Sequence, residues 1–159
     1  QGYAERLLTG ITSENYARLA RAGDKPIPSN HAAFILGHLA LYPVRITQFL
    51  KLPAGATAAP ANYEALFKPG VECQDDPAGK IYPPLSDLKS VFAETHKAAI
   101  AAVESAPDDS FAAPNPAEGR MREMFPTLGA ALNFYLLGHV QVHLGQLSAW
   151  RRAMGLPPA

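Results

Sequence analysis

The chain has 159 residues, 48% hydrophobic and 18% charged, with Lys+Arg and Asp+Glu both at 14 and a formal net charge of zero. This suffices for one domain-sized core over residues 1–159. It offers no block of like charge to track a phosphate backbone, so nucleic acid is not an expected partner. No apolar run is long enough to span a bilayer, so no membrane partner is expected. The first twenty residues lack the basic, apolar and small-residue order of a signal peptide. Cys73 is the single cysteine. It excludes an internal disulfide, fits a reducing cytoplasm and reads as an inert free thiol.

Four stretches free of loop signals predict helices. The first covers about 2–22, ended by Gly23 and the "KPIP" stretch. The second covers about 30–50, with Ser29 or Asn30 as its cap. Pro43 is expected to kink this helix rather than end it, because apolar spacing resumes at Ile46 and Phe49. The third covers about 85–104, with Leu85, Leu88, Phe92, Ala99 and Val103 on one side. The fourth covers about 127–154, capped by Thr127 and stopped by Gly155 and Pro157. The connections at 51–84 and 105–126 are rich in Pro, Ala, Gly and Asp and show no strand alternation. They read as surface loops or as lids over one end. Four helices with one long crossover predict an all-α fold, a four-helix bundle.

The fourth helix carries "LLGHVQVHLGQLSAWRR", in which His139 and His143 stand one turn apart. At 100° per residue, Leu132, Tyr135, Leu136, His143, Gln146 and Trp150 fall near His139, a stripe expected to face the core. On the second helix, His31, Phe34, Ile35, Leu41, Tyr42, Arg45 and Phe49 share the face of His38. A glycine precedes the histidine in both "LGHLA" and "LGHVQ", a costly choice in a helix that signals close backbone approach or room for a ligand. Three imidazoles, His38, His139 and His143, can then converge inside the bundle. Burying them unpartnered is costly, and a divalent metal bound to one nitrogen of each resolves the cost. An HxxxH pair alone also fits satisfied core or surface histidines; His38 on a buried face is what favours the metal. His31 lies two turns before His38, too far for the same ion, and reads as a rim residue or a helix-start polar group. His96, on the third helix, can approach the site.

Neither histidine helix contains an Asp or Glu. That excludes a Glu-x-x-His di-iron bundle and an HExxH protease helix. An all-imidazole site suits Zn, Ni, Co, Cu or Fe(II) rather than Mg or Ca. Such an ion lowers the pKa of bound water or holds a thiol as thiolate. Without a carboxylate base, thiol S-transfer is favoured over hydrolysis, because hydrolysis needs positioned proton transfers. A metal-dependent hydrolase and a non-enzymatic metal- or ligand-binding stress protein are the alternatives. Among site candidates, Arg45 can hold a carboxylate or form a surface salt bridge. Tyr42 and Tyr135 can orient a small-molecule substrate or simply pack, and Gln146 can support a histidine.

"HLGQLSAWRRAMGLP", taken with "NHAAFILGHLA", resembles the DinB superfamily, in its DinB-like branch. "ALFKPGVECQDDPAGKIYPPLSDL" resembles that family's crossover, and "FPTLGAALNFYLLGHVQVHLGQL" its approach into the last helix. The resemblance covers about residues 10–157. It implies an up-down-down-up four-helix bundle with the long crossover between helices two and three. It also implies a divalent metal, zinc or nickel, on His38, His139 and His143. Thiol-dependent transferases using a low-molecular-weight thiol, metal-dependent hydrolases and homodimers are what the family leads one to expect.

Overall fold

The computed structural model describes residues 2–159, and these are mostly helical. The helices are α1 (Gly2–Leu8), α2 (Ala32–Ala40), α3 (Pro43–Phe49), α4 (Asn62–Phe67), α5 (Leu85–Glu104), α6 (Arg120–Met124), α7 (Leu128–Asn133) and α8 (His139–Ala153). The only sheet among the described residues is a two-residue hairpin, β1 (Arg21–Ala22) with β2 (Lys25–Pro26).

The first predicted helix is far shorter than its sequence span. Gly10 takes a left-handed φ of +77°, which ends α1. Asn15 then accepts from the Thr12 amide at 2.9 Å and Thr12 Oγ1 from the Glu14 amide at 3.3 Å. These short polar side chains offer the backbone a turn in place of a helix. The chain still buries Ile11, Tyr16, Ala17 and Ala20 before the hairpin turns at Gly23.

The second predicted helix is two helices, so Pro43 does more than kink it. Pro43 has no amide hydrogen to continue α2 and sits at the start of α3, where none is needed. The cap of α2 is His31 rather than Ser29 or Asn30. His31 Nδ1 accepts from the Phe34 amide at 3.2 Å, and Nε2–H donates to the Gln74 carbonyl at 2.9 Å. His31 is therefore a helix-start group, fully buried and tied to the crossover. The third helix has the predicted span. The fourth runs through α7, a π-helical turn at Phe134–Gly138, and α8. Thr127 Oγ1 caps it from the Ala130 amide at 3.2 Å, and Gly155, at φ +75°, stops it.

The 51–84 crossover is folded against the core, not draped over it. α4 inserts Tyr63 and Phe67 into the main cluster, beside Phe34, Leu88 and Leu147. Asp76 pins the remainder by accepting from the amides of Lys80, Ile81 and Tyr82. Its carboxyl pKa is depressed: burial opposes ionisation, and these amides outweigh it. α2 packs on α4, α5 and α8, α3 on α5, and α1 on α8. Arg151 locks the ends together by donating to the carbonyls of Leu7, Thr9 and Pro157.

Candidate metal centre

α2 delivers His38 from its last turn, and α8 delivers His139 and His143 from its first two. The three ring centroids are separated by 5.4 Å (His38–His139), 4.6 Å (His38–His143) and 4.6 Å (His139–His143). Each ring offers one nitrogen, and the three nitrogens lie within 4.8 Å of one another, a group able to hold a metal ion.

The hydrogen bonds of the outer nitrogens set the tautomers. His38 Nδ1 lies 2.7 Å from the carbonyl oxygen of Phe67, which can only accept. His38 is therefore protonated at Nδ1, and its Nε2 presents a lone pair. His143 Nδ1–H donates to Gln146 Oε1 at 2.9 Å, an oxygen that also accepts from Asn30 Nδ2 at 3.3 Å. His143 Nε2 is then a lone pair too, facing His139 Nε2 at 3.1 Å. His139 Nδ1 is buried with no partner among the described residues. A cation answers the convergence of nitrogens at the centre, so the donor set fits a transition metal.

Burial lowers all three pKa values. For His139 the loss of solvent comes first, followed by the proximity of His143, His38, His96 and Arg45, and its pKa is pushed down to about 3. Desolvation also leads for His38 and His143. The rings are neutral at pH 7, the state a metal requires.

Two local features build this geometry. A Cβ on Gly37 would lie 2.4 Å from the Phe67 ring, so glycine is needed for Phe67 to approach. That close approach places the Phe67 carbonyl against His38. Gly138 is less constrained; a Cβ there would stand 3.3 Å from Phe134. The π turn ends with the His139 amide donating to Phe134 O, five residues back. Such turns insert a residue and re-aim a face, often at functional sites.

The predicted core stripe of the last helix holds at Leu132, Tyr135 and Trp150, which are buried, and shifts by one position around the histidines. Leu144, Leu147, Trp150 and Arg151 are buried, whereas His139 and His143 are half-buried on the shoulder and Gln146 is exposed. Tyr42 and Tyr135 lie against the cluster, with ring centroids 4.1 Å and 6.4 Å from His139. Arg45 lies over both tyrosine rings, 5.3 Å and 5.9 Å from their centroids. His96 is not among the converging ligands. Its Nδ1–H donates to Phe92 O at 2.8 Å, and its ring lines a separate apolar cavity of about 490 Å³ with Leu132, Leu136 and Leu144. Cys73 has its thiol pKa pushed up to about 11, chiefly by burial, so it stays protonated.

Two contributors were not legible as site residues. The Phe67 carbonyl belongs to the backbone, 29 positions from its partner. Glu64 lies one turn earlier on α4; burial chiefly raises the Tyr42 pKa, and the charge of Glu64 adds slightly to it. The apolar pattern Tyr63, Leu66, Phe67 was the available sign that this part of the crossover is a packed helix.

The fold and site define a helical protein with a metal-competent histidine triad. The model of the DinB superfamily matches residues 3–147, and the chain belongs to that superfamily. Searches of curated proteins and of solved structures found no match.

Proposed function

We propose that this chain is a metal-dependent enzyme of small-molecule chemistry, a thiol S-transferase holding zinc or nickel on His38, His139 and His143. The supporting observation is the triad itself: two tautomers fixed by outer acceptors, three nitrogens turned inward, and no carboxylate in the group. A bound divalent cation supplies Lewis acidity, which lowers the pKa of a thiol or water brought to it. His38 and His143 are oriented by Phe67 O and Gln146, so their lone pairs need no rearrangement. Tyr42 and Tyr135 pack beside His139, where either could contact a molecule bound at the ion. In S-transfer the sulfur of a low-molecular-weight thiol bonds to an electrophilic carbon. The leaving group departs with its electron pair, and the thiol proton passes to solvent. No protein carboxylate is needed.

Metal-dependent hydrolysis is the second reading, since an ion on the same three nitrogens would equally lower the pKa of a bound water. The two separate by assay. Purified metal-loaded protein is offered thiols with electrophiles, beside an ester and amide panel. Turnover in the first supports transfer; turnover only in the second supports hydrolysis. Metal binding with neither leaves a non-enzymatic binding protein.

α1, α2 with α3, α5, and α7 with α8 would be the arms of an up-down-down-up four-helix bundle, α1 being short. No helix among the described residues is long and apolar enough to cross a membrane; a cytoplasmic location extends that. A homodimer would cover Ile100, Leu137 and Val142, which are 40%, 58% and 61% exposed. Light scattering tests it.

A further inference from the structure

Arg45 has no acidic partner. The only ion pair among the described residues joins Arg18 to Asp75 at 2.8 Å. Arg151 and Arg122 spend their guanidinium groups on backbone carbonyls. Arg45 instead is exposed on α3 and lies over the rings of Tyr42 and Tyr135. Both rings also contact His139. The 5.3 Å and 4.1 Å distances through Tyr42 put the guanidinium carbon no more than 9.4 Å from the centre of the His139 ring. Two tyrosine faces restrain the cation by cation–π attraction without using its N–H donors. Those donors form a planar fork suited to a carboxylate. Glu64, whose charge acts on Tyr42, forms no ion pair with Arg45.

We propose that Arg45 is the specificity group of the triad site, selecting a thiol that carries a carboxylate by holding that carboxylate while the sulfur lies at the histidines. This rests on the thiol-binding metal site proposed above. A zinc–sulfur bond of about 2.3 Å and an Arg–carboxylate contact of about 2.8 Å leave only a short spacer between the two groups of the ligand. The ligand class is therefore a small mercapto acid, or the corresponding end of a larger thiol.

The test uses full-length protein loaded with Co(II), because sulfur-to-cobalt charge-transfer absorption reports thiolate binding directly. Two probes are titrated: 3-mercaptopropionate, and 2-mercaptoethanol as the uncharged control. Wild type is expected to bind the mercapto acid about tenfold more tightly, a difference of about 1.4 kcal/mol. Arg45→Gln removes the preference, and Arg45→Lys keeps part of it, since an ammonium supplies charge without the fork. Cobalt stoichiometry and circular dichroism verify that both variants are folded and loaded. Equal binding of the two thiols by wild type, or an undiminished preference in Arg45→Gln, overturns the assignment of Arg45 while leaving the thiol site standing. Absence of the sulfur–cobalt band with either thiol removes the thiol site and the role of Arg45 with it.

Discussion

His38 Nδ1 and the Phe67 carbonyl oxygen are 2.7 Å apart, and that bond ties the end of α2 to the C-terminus of α4 in the crossover. It fixes which nitrogen of His38 faces the other two rings. It depends in turn on the missing side chain of Gly37, over which the Phe67 ring lies.

Gly37→Ala tests this dependence. A methyl group 2.4 Å from the Phe67 ring must displace it or the helix. The expected loss of stability is about 1–3 kcal/mol, as for overpacked cores. Metal affinity should fall by roughly 10–100-fold as the Phe67 carbonyl leaves His38. Chemical denaturation reads the first effect and metal competition with a chelator the second.

Gln146→Leu separates orientation from folding. Gln146 is exposed, so its replacement should change stability by no more than about 0.5 kcal/mol. Yet it holds the Nδ1–H of His143. Metal affinity is expected to drop by roughly 10–100-fold with the denaturation midpoint nearly unchanged.

Acid should destabilise the metal-free protein. His31, His38, His96, His139 and His143 all have folded pKa values below the ordinary imidazole value of about 6.5, each chiefly because of burial. Above pH 6.5 both folded and unfolded histidines are neutral. As pH falls below it, the unfolded chain binds protons first and stability declines. For His139 the decline continues toward pH 3. Denaturant midpoints measured across pH 5–8 should therefore be flat above about 6.5 and fall below it.

How much of this was legible in the sequence follows from where the information resides. The bounds of α5 and the cap and stop of the last helix were readable because Thr127, Gly155 and the apolar spacing act locally. The triad was readable because HxxxH spacing and the buried face of His38 are helical geometry. The end of α1 is signalled by Gly10, Thr12 and Asn15, but the apolar residues that continue past them mask it. Pro43 is masked in the same way by the apolar residues that follow it. The shoulder position of His139 and His143 depends on packing against α2 and on a π turn, which periodicity does not encode. The Phe67 carbonyl has no side-chain signature at all.

Arg151→Met examines the joint between chain ends. The guanidinium is 2% exposed and serves the carbonyls of Leu7, Thr9 and Pro157. Its removal leaves the buried Leu7 carbonyl unmatched, at a cost of about 1–3 kcal/mol, while the partly buried Thr9 and Pro157 carbonyls can turn to water. The melting temperature should fall by several degrees, with metal stoichiometry unaltered in the protein that stays folded.

A crystal structure of the metal-loaded protein, with anomalous data collected at the metal edge, tests the centre most directly. One peak is predicted, about 2.0–2.2 Å from Nε2 of His38, His139 and His143 together, the length of imidazole–metal bonds. No peak after stoichiometric loading, or a peak bound by His139 and His143 with His38 turned away from it, would contradict the triad as a metal site.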